Sequence, residues 1–195
     1  MSRPKAFDPQ RALDSALHCF KQHGFNGASL STLTQEMGVG RASLYATYGD
    51  KRALFMRALA DYADTTIGFF VRRLDAAENP LAEIRAIFRD IAAFSVCDDG
   101  RFGCFLVNST AELAANDQEV RAFATRSFER FEDAFTRALE RARADGTLAA
   151  DKNPRALARF LFATIVGIRV MGKARADLAV LEDIASSALA CLERA

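Results

Sequence analysis

Apolar residues in this chain recur at three- and four-residue spacing from end to end, and no stretch alternates apolar with polar residues between hairpin turns. That periodicity admits helices and excludes a sheet-built core. The punctuation agrees with it. Asp8-Pro9, Asn79-Pro80 and Asn153-Pro154 each join a capping side chain to a proline, whose fixed φ suits the first helical position. Gly24, Gly38, Gly49 and Gly146 supply stops. A first helix is expected from Pro9 to Gly24, with Leu13, Ala16, Leu17 and Phe20 on one face. A second runs from the Ser29 cap to Gly38 with Leu30, Leu33 and Met37 inward, and a third spans about Arg41 to Tyr48. Longer helices are predicted over 51–74, 80–94, 104–115, 117–145, 154–173 and from 177 or 178 to near the C-terminus. The fold class is therefore all-α. Three N-terminal helices (residues 1–50, with a helix-turn-helix at about 29–48) precede a bundle of about six (residues 51–195).

Composition narrows the function. Half of the 195 residues are hydrophobic and 26% are charged, an ordinary globular balance with no run long enough to span a membrane. "MSRPKAFDPQ" lacks the apolar segment of a secretory signal, so a cytoplasmic location is expected. Cys19, Cys97, Cys104 and Cys191 are scattered without a C-x-x-C pair, and only His18 and His23 accompany them. A metal site, a bound cofactor, a disulfide scaffold or a Ser-His-Asp triad is not expected from such a set. Charge is uneven: residues 1–60 hold eight Lys/Arg against four Asp/Glu, and the remainder holds 18 against 21. A basic head on a mildly acidic body suits a head that meets nucleic acid.

Gly38-Val39-Gly40 joins two short helices in the outline of a helix-turn-helix, whose second helix enters the DNA major groove. Leu44 and Tyr48 would face inward from that helix. Arg41, Ala42, Ser43, Ala46 and Thr47 form the other face. Arg41 can reach guanine or phosphate, Ser43 and Thr47 can donate and accept, and the alanines can meet a thymine methyl. Tyr45, at the edge, can give its hydroxyl to a phosphate. Lys51 stands in a helix's first turn, where a cation is unfavourable unless a phosphate joins it. Ser29 and Ser31 could grip a phosphate at the second helix in the same way.

These features, in "GFNGASLSTLTQEMGVGRASLYATYGDKRALF", resemble the N-terminal domain of the TetR family of bacterial transcriptional repressors over residues 8–60. The resemblance rests on the aromatic after the first glycine stop, the hydroxyl cap, the G-V turn, the L-Y pair and K-x-x-L. It implies a regulator that binds a near-palindromic, double-stranded operator as a homodimer and answers to a small-molecule effector. It also implies DNA contact by Ser29, Arg41, Ala42, Ser43, Tyr45, Thr47 and Lys51, to which Ser31 and Tyr48 are added as candidates. Four residues depart from the family pattern: Gly40 in place of a capping Ser or Thr, Ala42 for glycine, Thr34 for alanine and Tyr48 for phenylalanine.

An effector pocket within the bundle would draw aromatic walls from Phe88, Phe94, Phe102, Phe105, Phe123, Phe128, Phe131, Phe135 and Phe162. Asn108, Ser109, Glu112 and Arg169 are candidates to orient a ligand. Cys104, after a glycine at a helix start with Arg101 nearby, has the setting of a reactive thiol and a possible sensor. A thiol-dependent enzyme built on Cys104 is the alternative, although no base or orienting group is evident in sequence. The last two helices carry the dimerisation signal in Phe160, Thr164, Ile168, Met171, Leu181, Ile184 and Leu189. A helix apolar on two sides must be buried on both.

Overall fold

A computed structural model of the chain describes residues 7–193, and every regular element among them is helical. In α1 (Pro9–Gly27), Asp8 accepts from the backbone amides of Gln10 and Arg11. The expected stop at Gly24 appears as a break inside the helix, with φ 70° and ψ 176°, after which one more turn runs to Gly27. Ser29 caps α2 (Leu30–Met37) through the Thr32 amide at 3.0 Å. Gly38 ends it in the left-handed region, φ 64°, where only glycine escapes a steric penalty. Gly40 begins α3 (Arg41–Tyr48) without any side-chain cap, and Asp50 caps α4 (Lys51–Tyr62) through the Ala53 amide at 2.7 Å.

The predicted helix over 51–74 differs in one respect. A π-helical segment, Ala63–Ile67, separates α4 from α5 (Gly68–Ala76) without ending the rod. Its wider turn inserts a residue and shifts the facing of every side chain beyond it. The bundle continues with α6 (Pro80–Ser95), α7 (Phe105–Leu113), α8 (Gln118–Ala144), α9 (Pro154–Ala174) and α10 (Leu178–Leu189). Asn79, Asp117, Asn153 and Asp177 cap α6, α8, α9 and α10. Counting α4, the π turn and α5 as one rod, six helices follow α3, as the sequence periodicity predicts.

Head and body share one core. Phe20 of α1, Phe55 of α4 and Phe105 of α7 are fully buried, with ring centroids 5.2 Å (Phe20–Phe55) and 5.6 Å (Phe55–Phe105) apart. Phe25 and Tyr62 extend this cluster at both ends, 4.9 Å from Phe55 and 5.8 Å from Phe105. Burying each phenylalanine is worth about 1.5–3 kcal/mol relative to solvent. The N-terminal helices are therefore fixed to α7 by apolar packing as well as by chain connectivity.

Candidate nucleic-acid interface and ligand cavity

The helix-turn-helix places α3 with Leu44 fully buried beneath it and Arg41, Ala42, Tyr45 and Ala46 exposed. Tyr45 is 46% exposed, a high value for so large a ring. Ser43 is half-buried, and so is Thr47, which lines a shallow groove with Pro9, Gln10 and Leu13 of α1. The Ser29 hydroxyl lies 2.7 Å from that of Ser31 and 2.8 Å from that of Thr32, a hydroxyl cluster at the start of α2. Thr34, the departure from alanine, satisfies its hydroxyl within α2 on the carbonyls of Leu30 and Ser31.

One expectation needs correction, and another gains a partner. Tyr48 donates its hydroxyl to the Pro9 carbonyl at 2.7 Å, tying the end of α3 to the start of α1. Its polar atom is engaged inside the protein, so Tyr48 leaves the DNA-contacting set; burial pushes its pKa up. Lys51 stands in the first turn of α4, where the sequence places it. Its ammonium lies over the Phe25 ring, 4.6 Å from the centroid, and the Asp50 carboxylate already occupies the α4 cap. Cation–π attraction offsets the unfavourable dipole and holds Lys51 next to α1.

A cavity of about 720 Å³ lies in the body between the α4–α5 rod, α6, the start of α7, α8 and α9. Phe128, Phe131 and Phe162 form its aromatic wall, Phe162 standing 5.2 and 5.3 Å from the other two rings. Thr65, Thr66 and Ile67 of the π segment face it, as do Tyr62, Phe69 and Phe70. Cys104, the residue before α7, borders it and accepts a hydrogen bond from the Tyr62 hydroxyl at 3.5 Å. Burial, and then the neighbouring thiol, raise the Tyr62 pKa well above the ordinary tyrosine value.

Eight of the pocket candidates do not line this cavity: Phe88, Phe102, Phe105, Phe123 and Phe135 among the aromatics, and Asn108, Ser109 and Glu112 among the polar residues. Phe88 is fully buried on α6 and packs in the core. Phe102 meets His18 edge-on at 5.7 Å and carries Arg101 over its face at 4.7 Å, so Arg101 is turned to a ring rather than to the Cys104 thiol. Asn108 donates to the Phe102 carbonyl at 2.7 Å and lines a separate groove beside Glu112. Helical spacing gives a residue's face but not which neighbour covers it, and these side chains pack away from the cavity. Sequence reasoning missed Lys21, which reaches the cavity from α1, and the π-segment threonines, because no local signal marks either.

The junction with the head contains a feature without a local signature. Glu112, in the last turn of α7, accepts from the backbone amides of Phe25 and Asn26 at 2.9 and 2.8 Å. Those amides are free because Gly24 breaks α1 immediately before them. A second clamp joins Arg52 of α4 to Asp117 and Glu119 at the start of α8. Its hydrogen bond from Arg52 lowers the Asp117 pKa.

The dimerisation set divides. Phe160, Val170 and Met171 of α9 are exposed, at 50%, 49% and 39%, and Thr164 is half-buried among them. Gly167 faces open space on the same stripe. Ile184 is half-buried. Ile168, Leu181 and Leu189 are instead buried within the chain, where α9, α6 and α10 pack on one another, so they cannot line a free interface face. The second apolar face of α9 is thus covered by its own chain and by the cavity.

Comparison with known proteins matches these parts. Residues 12–58 fit the model of the bacterial regulatory proteins, tetR family, and residues 80–188 fit that of the tetracyclin repressor-like C-terminal domain. An uncharacterized HTH-type transcriptional regulator of Bacillus subtilis, YezE, is 32% identical over 99% of this chain and 100% of its own length. The HTH-type transcriptional repressor ComR of Escherichia coli is 29% identical over 96% of this chain and 90% of its own. Among solved structures, a cysteine mutant of the TetR family transcriptional regulator CifR, complexed with 26-bp double-strand operator DNA, is 31% identical. It covers 98% of this chain and 100% of its own, with a TM-score of 0.88.

Proposed function

Because the chain belongs to the TetR family of bacterial transcriptional regulators, we propose that this DNA-binding regulator represses transcription as a homodimer released from its operator by a small-molecule effector. The observation that carries the reading is α3: a helix without an acidic residue, seated on buried Leu44, offering Arg41, Ala42, Tyr45 and Ala46 to solvent. Small side chains let the helix approach base edges, and Arg41 with half-buried Ser43 and Thr47 reads them. Tyr45, Ser29, Ser31 and Lys51 hold the phosphates. The exposed α9 stripe of Phe160, Thr164, Gly167, Val170 and Met171, continued by half-buried Ile184 of α10, meets its copy in a two-fold interface. Two recognition helices on one DNA face then require a near-palindromic site.

Division of labour falls near residue 50, where α4 begins beside the head and runs, through the π segment, along the cavity wall. A ligand contacting Tyr62, Thr65 or Thr66 pushes on the same rod that positions Lys51 and α3. It shifts the protein off DNA only if it binds the DNA-free arrangement more tightly. Binding to the DNA upstream of the protein's own gene, measured over a salt series, tests the reading. Lys51→Ala is expected to weaken all sequences alike and reduce the salt slope by about one, whereas Arg41→Ala and Ser43→Ala alter sequence preference. Unchanged DNA binding in all three variants would sink the assignment.

A further inference from the structure

Two of the arginines that line the cavity differ in their partners. Arg73 meets Glu83 at 2.5 Å and Asp90 at 2.7 Å, so its charge is met by carboxylates within the protein. Arg169 is only 8% exposed. Its Nη1 donates to Ser95 Oγ at 2.9 Å, and its Nη2 donates to the Gly103 carbonyl at 2.8 Å. The guanidinium also lies 5.0 Å from the Phe94 ring centroid. All three partners are neutral, and Arg169 forms no ion pair among the described residues. A guanidinium has five N–H donors, so most of them remain without a protein acceptor.

A buried charge left unbalanced is costly, and proteins hold one where something else supplies the opposite sign. Lys21 of α1 borders the same cavity; among the described residues it donates to the backbone carbonyl of Asp99, at 3.4 Å, and the Asp99 charge also acts on it. Burial first, and then the charge of Arg169, lower its pKa from the ordinary lysine value. Two cations thus act on one another beside a chamber that is also lined by Phe128, Phe131 and Phe162, with Arg72, Arg73 and Asp90 among its other polar residues.

We propose that the effector is an organic carboxylate with an apolar, aromatic-sized body, its carboxylate held by Arg169 and Lys21 and its body against Phe70, Phe128, Phe131 and Phe162. This inference rests on the ligand-release reading above and adds the ligand's chemical class. The cavity, about 720 Å³, lies within the roughly 300–1,000 Å³ that accommodates small organic ligands. Arginine's planar fork matches a carboxylate, whose two oxygens accept paired N–H groups. Because Lys21 belongs to α1, the ligand's charge acts directly on a helix of the DNA-binding head. The other group beside these cations that could supply negative charge is the Cys104 thiol.

The test uses the full-length protein with 4-phenylbutyrate and octanoate, each beside its neutral amide, read by titration calorimetry and thermal unfolding. The acids are expected to bind about tenfold or more tightly than the amides, the margin of a charge-assisted pair over a neutral one. Arg169→Gln should erase that preference. Lys21→Met, at a partly exposed position, reduces it severalfold and keeps the test alive if the buried variant fails to fold. Amides that bind as well as acids overturn the proposal, as does no heat from either acid at about 10 mM. Acid binding that appears only in Cys104→Ser would identify the thiolate as the counter-ion and overturn it too. Operator affinity is followed in parallel by fluorescence anisotropy. Acid-selective binding without loss of DNA affinity refutes release and supports the ligand class, whereas equal release by acid and amide supports release and refutes the class.

Discussion

The Glu112 clasp gives the most direct access to how the body is joined to the head. One carboxylate accepts two backbone amides, Phe25 at 2.9 Å and Asn26 at 2.8 Å, across the junction between α7 and α1. Hydrogen bonds to a charged group are worth about 1.5–3 kcal/mol each, but Glu112 is exposed, and solvent screening reduces the pair to about 1–2 kcal/mol in all. Glu112→Ala should lower the midpoint of thermal unfolding by roughly 2–8 °C for a chain of this size. Glu112→Gln, which keeps one acceptor and sets an amide donor against the other N–H, should fall between. Gly24→Ala approaches the clasp from the other side. A Cβ there would stand 2.7 Å from Glu112 Oε2 on a backbone with φ +70°. In the double variant the clash disappears and the backbone strain stays, so the two effects should not add. The assay is amide exchange at Phe25 and Asn26 alongside unfolding. Unchanged exchange and stability in Glu112→Ala would refute the clasp. Its functional side is separate: Cys104, at the cavity, immediately precedes α7, and Glu112 lies about 12 Å further along the helix axis. Loosened amides with an intact effector response would show that α7 does not transmit the signal.

Phe160→Lys, placing a charge in the exposed α9 stripe, should yield a monomer in analytical ultracentrifugation with helical content unchanged; a dimer of unaltered stability would place the interface elsewhere. Tyr48→Phe removes only the bond to the Pro9 carbonyl, so it should cost about 1 kcal/mol in denaturant unfolding and leave operator affinity intact. The Arg52–Asp117 clamp gives a pH signature. Asp117's folded pKa is lowered, so its stabilisation is complete above the ordinary carboxylate pKa and is lost as pH falls through the folded value. Asp117→Asn should flatten that acid limb, and an unchanged acid limb would assign the loss to other carboxylates.

Much of the head was legible in advance. Ser29, Gly38 and Gly49 mark the ends of α2 and the end of α3 where the sequence placed them. Each acts within a few residues of itself. Lys51 shows where that reach ends: its place in the first turn of α4 could be read, but its rest over Phe25 depends on how α1 folds back. The candidate cavity residues divide for the same reason. Phe128, Phe131 and Phe162 line it and Phe88 does not, although all four sit at good helical spacing.

Helical periodicity, caps and glycine stops therefore determined the all-α architecture and the position of the reading helix, because backbone hydrogen bonding and side-chain facing repeat locally. Only tertiary structure decided which faces stay open. Ile168 is spent on α9's own neighbours while Phe160 and Val170 remain exposed, and Arg169 is enclosed with neutral partners beside an apolar chamber. A cavity is the space that several helices leave between them. Its shape and charge follow from the angles at which they cross and from which side chains meet there, and no single segment of the chain contains that information.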